Sequence, residues 1–133
     1  MLKKKDAYNL AVAGATGAVG RKMLEILQER NFPIANLKAL ASARSVGQVL
    51  PFNGGSLVVE ELNENSFAEV DIALFSAGAG VSQKFAPFAV KSGCIVIDNS
   101  SAFRMDPKTP LIVPEVNSEY IGENPGIISN PNC

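Results

Sequence analysis

The chain contains no histidine, and only two cysteines stand among its 133 residues. Without histidine, the commonest acid–base group near neutral pH is missing. An excess of charge of either sign is also missing: 12 basic residues face 13 acidic ones, for a net charge of -1. That balance leaves no basic field to hold nucleic acid or an anionic membrane. The only basic run, Lys3-Lys4-Lys5, reads as a solvated terminus. No apolar stretch approaches the roughly 20 residues of a membrane span. The basic start is followed by neither a long apolar region nor a small-residue cleavage site. A cytoplasmic protein is expected, its two cysteines unpaired in a reducing compartment. Cys94 opens the apolar run Cys94-Ile95-Val96-Ile97 and reads as a buried strand residue, whereas Cys133 closes the polar turn Ser129-Asn130-Pro131-Asn132.

Hydrophobic residues make up 47% of the chain and charged residues 19%, the composition of a globular fold with a real core. The length suits one domain, residues 1–133. Tyr8–Ala13 is a short apolar run without polar alternation, as in a strand buried on both faces. Residues 17–30 change to helical spacing, with Val19, Met23, Ile26 and Leu27 expected on the apolar face. Asn31 and Pro33 end that helix. Leu37–Ala41, Asp71–Phe75 and Ile95–Asp98 read as further strands. Residues 81–92 read as a helix with Val81, Phe85, Phe88 and Ala89 inward and a kink at Pro87. Val49–Phe52 and Leu57–Glu60 form a hairpin-like excursion around Asn53-Gly54-Gly55. Leu111–Val113 and Gly126–Ile128 are short strand candidates among prolines. This succession predicts an α/β, Rossmann-like, doubly wound and mostly parallel sheet. Ligands then bind beyond the carboxyl ends of the strands, so segments 14–20, 42–48, 76–80 and 99–105 should share one rim.

Gly14-Ala15-Thr16-Gly17-Ala18-Val19-Gly20 follows the first strand and opens the first helix. Gly14 permits a sharp turn, Gly17 lets a pyrophosphate approach the backbone, and Gly20 lets the helix pack closely on the sheet. The free amides and positive dipole end of that helix face the anion. The spacing G-x-x-G-x-x-G departs from the commoner G-x-G-x-x-G, and a glycine turn without a ligand is the plain alternative. Ser76 and Gly78, after a later strand, join Thr16, Ala18 and Val19 as cofactor contacts. An NAD-selective site carries a carboxylate at the end of the second strand. Here that strand runs into Ser42-Ala43-Arg44-Ser45, and a guanidinium with two hydroxyls favours the extra phosphate of NADP. A solvated loop arginine is the alternative.

Cys133 is a candidate nucleophile. A turn of the Asn130-Pro131-Asn132 kind precedes a helix, whose first turn would lower a thiol pKa and stabilise an oxyanion. A structural cysteine is the alternative. Asn99 and Arg104, in Asp98-Asn99-Ser100-Ser101-Ala102-Phe103-Arg104, are candidates for an anionic substrate or phosphate, although Arg104 reads equally well as structural. No metal is assigned.

Together the segments at 14–20, 42–45, 97–105 and 129–133 resemble the N-terminal part of aspartate-semialdehyde dehydrogenase, in that family's order and separation. The resemblance implies NADPH-dependent reduction of aspartyl phosphate to aspartate semialdehyde, on the route to lysine, threonine and methionine. It implies a thioester on Cys133, with Asn132 helping to position its carbonyl. It places Thr16 to Val19 at the cofactor phosphates, Arg44 and Ser45 near the adenosine 2'-phosphate, and Arg104 at the phosphoryl group. The parent enzyme is expected to be a homo-oligomer with a small-molecule substrate. The family's acid–base histidine, a second substrate-binding arginine, a glutamine and the substrate domain lie beyond Cys133. The chain is therefore expected to be a cofactor-binding fragment, inactive alone. Were Cys133 the true terminus, its own carboxylate would raise the thiol pKa. Two other readings stand: a non-catalytic nucleotide-binding module, and a related acyl-phosphate reductase such as one for acetylglutamyl phosphate. The latter is disfavoured because that family resembles a Pro-Gly-Cys pattern at the nucleophile.

Overall fold

Six parallel strands form the sheet at the centre of the computed structural model, which describes residues 3–122 and 125–132. In chain order the elements are β1 (Tyr8–Ala13), α1 (Ala18–Glu29), β2 (Ile34–Ala41), β3 (Val49–Phe52), β4 (Gly55–Val58), β5 (Glu60–Glu61), β6 (Ile72–Phe75), α2 (Ala79–Lys91), β7 (Ile95–Asp98), α3 (Pro114–Asn117) and β8 (Ile127–Ser129). The sheet order is β5-β2-β1-β6-β7-β8, and every neighbouring pair is parallel. The fold is Rossmann-like and doubly wound.

Burial explains why these strands lack polar alternation. Along β1, Ala11 and Ala13 face one apolar cluster, built with Ala86 and Ala89 of α2 and with Phe67 and Phe75. Val12 faces a second, built with Leu24 of α1 and Leu50 of β3. Both faces of the sheet are covered, so from Leu10 to Ala13 β1 alternates between two cores and is buried throughout. Phe67 and Phe75 stack with ring centroids 5.6 Å apart.

Several boundaries differ from the sequence expectation. β2 begins at Ile34 rather than residue 37, because β1 offers parallel partners as far back as Tyr8. Residues 57–60 do not form one strand. Gly55–Val58 pairs antiparallel with β3 in a separate two-stranded sheet, and Glu60–Glu61 joins the main sheet beside Leu40 and Ala41 of β2. The helix α2 starts at Ala79 and runs through Pro87. Its buried residues are Ser82, Ala86 and Ala89. On α1 the buried stripe is Gly20 and Leu24, flanked by Met23 and Leu27, while Val19 and Ile26 stay 42% and 40% exposed. Leu111 contributes only an isolated bridge to Ser129. Among the described residues, no helix is long and apolar enough to cross a membrane.

Candidate functional site

The chain leaves β1 at Gly14, whose φ of +88° belongs to the left-handed region. A Cβ there would lie 2.8 Å from the backbone carbon of Ser76, so the turns after β1 and β6 pack backbone to backbone. They meet where the winding reverses: β2 lies on one side of β1 and β6 on the other. That switch point is where open α/β sheets bind ligands.

Gly17 is the N-cap of α1 and makes no side-chain cap; the first turn carries no acidic residue. The helix's first amides are thus offered outward, with no carboxylate to repel an anion. A Cβ on Gly17 would meet only the Gly14 carbonyl oxygen, at 3.5 Å, which leaves open space over the turn. Arg21, to which the sequence reading gave no role, donates from Nε to the Thr16 carbonyl at 3.0 Å and braces the loop. Its position four residues past Gly17 was the available signal, since helical side chains lean toward the N-terminus.

A cleft of about 290 Å³ opens beside this cradle, between Gly14 and Thr16, Ala41 and Ser42, and Val81 and Phe85. Ser42 leads into a single 3-10 turn, Ala43–Ser45. Arg44 is exposed there. The end of β2 itself bears no carboxylate, but its neighbour β5 brings Glu60 and Glu61 alongside Leu40 and Ala41, a proximity invisible in local sequence. Ser76 donates its hydroxyl to the Ala13 carbonyl at 3.3 Å, and Gly78 caps α2 at φ +91°. These features fit a dinucleotide: an uncapped helix start, a cleft and a cation on one edge. A cleft of about 340 Å³ at the opposite edge, among Asn9, Asn36, Lys38 and Glu69, has no helix start among the described residues that line it. Its Lys38 donates to the Ser66 carbonyl at 3.0 Å.

The second polar group stands at the ends of β7 and β8. Arg104 donates from Nε to the Asn130 carbonyl at 2.8 Å and from Nη2 to the Asn99 carbonyl at 3.0 Å. The Asn130 side-chain amide donates to Asn99 Oδ1 and to the Asn132 carbonyl. Arg104, Asn99, Asn130 and Asn132 therefore form one cluster at the carboxyl edge of the sheet. Two of the Arg104 donors serve backbone carbonyls, the structural role that its sequence context left open. Asp98, to which sequence reading gave no role, lies fully buried beneath them. Cys133 falls outside the described residues.

An all-parallel sheet with a glycine turn at its switch point defines a dinucleotide-binding α/β protein. The family model "Semialdehyde dehydrogenase, NAD binding domain" matches residues 9–124, and the chain belongs to that family. It is 58% identical over 125 residues to an aspartate-semialdehyde dehydrogenase of Bacillus subtilis (strain 168), covering 94% of this chain and 36% of the relative. It superimposes with a TM-score of 0.91, at 53% identity, on aspartate semialdehyde dehydrogenase II from Vibrio cholerae complexed with ASA, over 96% of this chain and 42% of that one. The aspartate semialdehyde dehydrogenase with NADP from Candida albicans follows at TM-score 0.79 and 28% identity, over 92% of this chain and 42% of that one. The chain thus spans about two fifths of the length of these relatives.

Proposed function

We propose that residues 1–133 are the NADP-binding part of a two-domain aspartate-semialdehyde dehydrogenase, acting in the cytoplasm as a homo-oligomer on a small-molecule substrate and not on nucleic acid. The observation that carries this reading is the pairing of an uncapped, acid-free start of α1 with an exposed arginine after β2. The NADP named with the Candida albicans structure supports the same choice of cofactor.

In this reading the segment Thr16 to Val19 holds the pyrophosphate at the first turn of α1, with Gly17 keeping its approach clear, Gly14 making the turn and Gly20 letting the helix pack on the sheet. Ser42, Arg44 and Ser45 hold the adenosine 2'-phosphate, and Ser76 and Gly78 line the cofactor's path. When bound, NADPH supplies the hydride. Cys133 would attack the acyl carbon of aspartyl phosphate, its new S–C bond replacing the bond to phosphate, which leaves; reduction of the resulting thioester by the cofactor's hydride would give the aldehyde and a thiolate, protonated by a group outside these residues. Asn132 positions the thioester carbonyl, and Arg104 with Asn99 faces the phosphoryl group. The sequence supplies no histidine, so the acid–base group comes from outside these residues, and the stretch alone is inactive.

Fusing this stretch to the remaining length of the Bacillus subtilis relative tests the proposal. The chimera should reduce NADP with aspartate semialdehyde and phosphate, and C133S should abolish turnover. NADPH binding without any Cys133-dependent turnover would instead favour a non-catalytic nucleotide-binding module.

A further inference from the structure

We infer that Asp98 is a positioning residue that fixes the anion-binding loop Asn99 to Arg104 and the Asn130–Asn132 turn together. This rests on the reading of Arg104, Asn99 and the Asn130–Asn132 turn given under Proposed function.

Asp98 closes β7 and is completely buried. Its carboxyl accepts three hydrogen bonds. Oδ1 takes the Ser82 hydroxyl at 2.8 Å and the Ser100 amide at 2.9 Å, and Oδ2 takes the Ser100 hydroxyl at 2.9 Å. Ser82 is itself fully buried on α2, so the carboxyl pins the rim loop to a helix. Ser100 passes the constraint onward by accepting the Ala102 amide at 3.2 Å. The Asp98 carbonyl accepts the Asn130 amide at 2.9 Å, which ties the end of β8 to the same residue. Arg104 then bridges the two segments through the carbonyls of Asn99 and Asn130.

A buried polar group is costly unless satisfied. Apolar side chains would hold α2 on β7 as well. What a three-acceptor carboxyl adds is direction: it dictates where Asn99 to Arg104 and Asn130 to Asn132 sit relative to each other.

The test is amide hydrogen exchange by NMR in this chain, comparing D98A, D98N and S100A with the unmodified protein, alongside the Arg104 Nε–H resonance and the Kd for NADPH. In D98A and S100A, exchange at Ala102 and Asn130 should accelerate about tenfold or more, the scale of a lost buried hydrogen bond expressed as local opening. The Arg104 Nε–H signal should broaden or vanish. Amides of β1 should keep their rates, and the Kd for NADPH should stay within about twofold, well under the tenfold that 1.4 kcal/mol represents. D98N keeps an oxygen for Ser82 and the Ser100 amide and should recover most of the protection. Should D98A fail to fold, the Asn130 amide in S100A decides, because S100A removes the Ala102 acceptor outright but reaches Asn130 only through Asp98. Unchanged exchange at Ala102 and Asn130 in a folded variant would overturn the inference, as would equal acceleration throughout β1. Failure of the unmodified chain to bind NADPH would overturn the proposed function and leave the exchange comparison standing.

Discussion

A Cβ placed on Gly20 would lie 2.0 Å from the carbonyl oxygen of Gly14 and 2.8 Å from the Cα of Ala15. The first turn of α1 and the end of β1 therefore touch through backbone alone. G20A forces them apart and should cost about 2–3 kcal/mol of stability. G17A differs, because its methyl enters open space at a φ of -78°. It should cost about 1 kcal/mol or less and still weaken NADPH binding by obstructing the cradle. Denaturant melts and NADPH titrations of both variants check this separation of fold from binding.

Arg44 is exposed and makes no hydrogen bond or ion pair among the described residues. R44A should leave stability within about 0.5 kcal/mol. It should weaken NADPH by about tenfold or more while leaving NADH unchanged, since only the former carries the 2'-phosphate. Parallel fluorescence titrations at fixed ionic strength measure the ratio.

Burial pushes the Cys94 thiol up to about 12, from an ordinary value of 9.0. Its folded pKa lies above its unfolded one, so between those values the unfolded chain has lost a proton that the native chain keeps. Stability should be unaffected well below pH 9.0, the ordinary value. Above that it should fall with a slope approaching about 1.4 kcal/mol per pH unit. C94A, compared by denaturant melts from pH 7 to 10.5, should lack this contribution. In the native protein at pH 8, Cys94 should resist alkylation until denaturant is added.

Asp71 is subject to opposing influences. Burial raises its pKa, but the Lys5 ammonium at 2.7 Å and the Asn9 amide at 2.8 Å outweigh it and hold the carboxyl below its ordinary 3.8. A depressed folded pKa contributes stability above the ordinary value and loses it as pH falls through the folded one. D71N should cost about 1 kcal/mol at pH 7, a modest figure because Lys5 is 44% exposed. The gap to the unmodified chain should close as the pH falls below 3.8. Urea melts from pH 2 to 7 give the comparison.

Residues that act through their neighbours in sequence were legible, and those that act through distant partners were not. β1, β3 and β7 begin and end where their apolar runs do; burial on both faces explains the unbroken run Leu10 to Ala13 of β1, whereas Val49 of β3 and Ile97 of β7 stay exposed. Glu60–Glu61 has no strand character of its own; it pairs because the edge of β2 is open beside it. The short α3 was hidden among prolines, although Pro114 at its first turn is a favoured start. At the site, Gly14 and Gly20 do what their spacing implied. Asp98 sat inside a segment singled out for Arg104, yet its partner Ser82 is 16 residues away on another element. The buried stripe of α1 was displaced for a related reason. Gly20, with no side chain, faces the sheet, and that rotation leaves Val19 exposed.

The most direct measurement is an isotope-resolved titration of this chain with NADPH and, separately, NADH. The account predicts that NADPH binds at least about tenfold tighter, shifting the amides of Thr16 to Val19 and of Ser42 to Ser45. Equal and weak binding of both nucleotides would contradict it, as would shifts gathered around Asn36 and Glu69 at the opposite edge of the sheet.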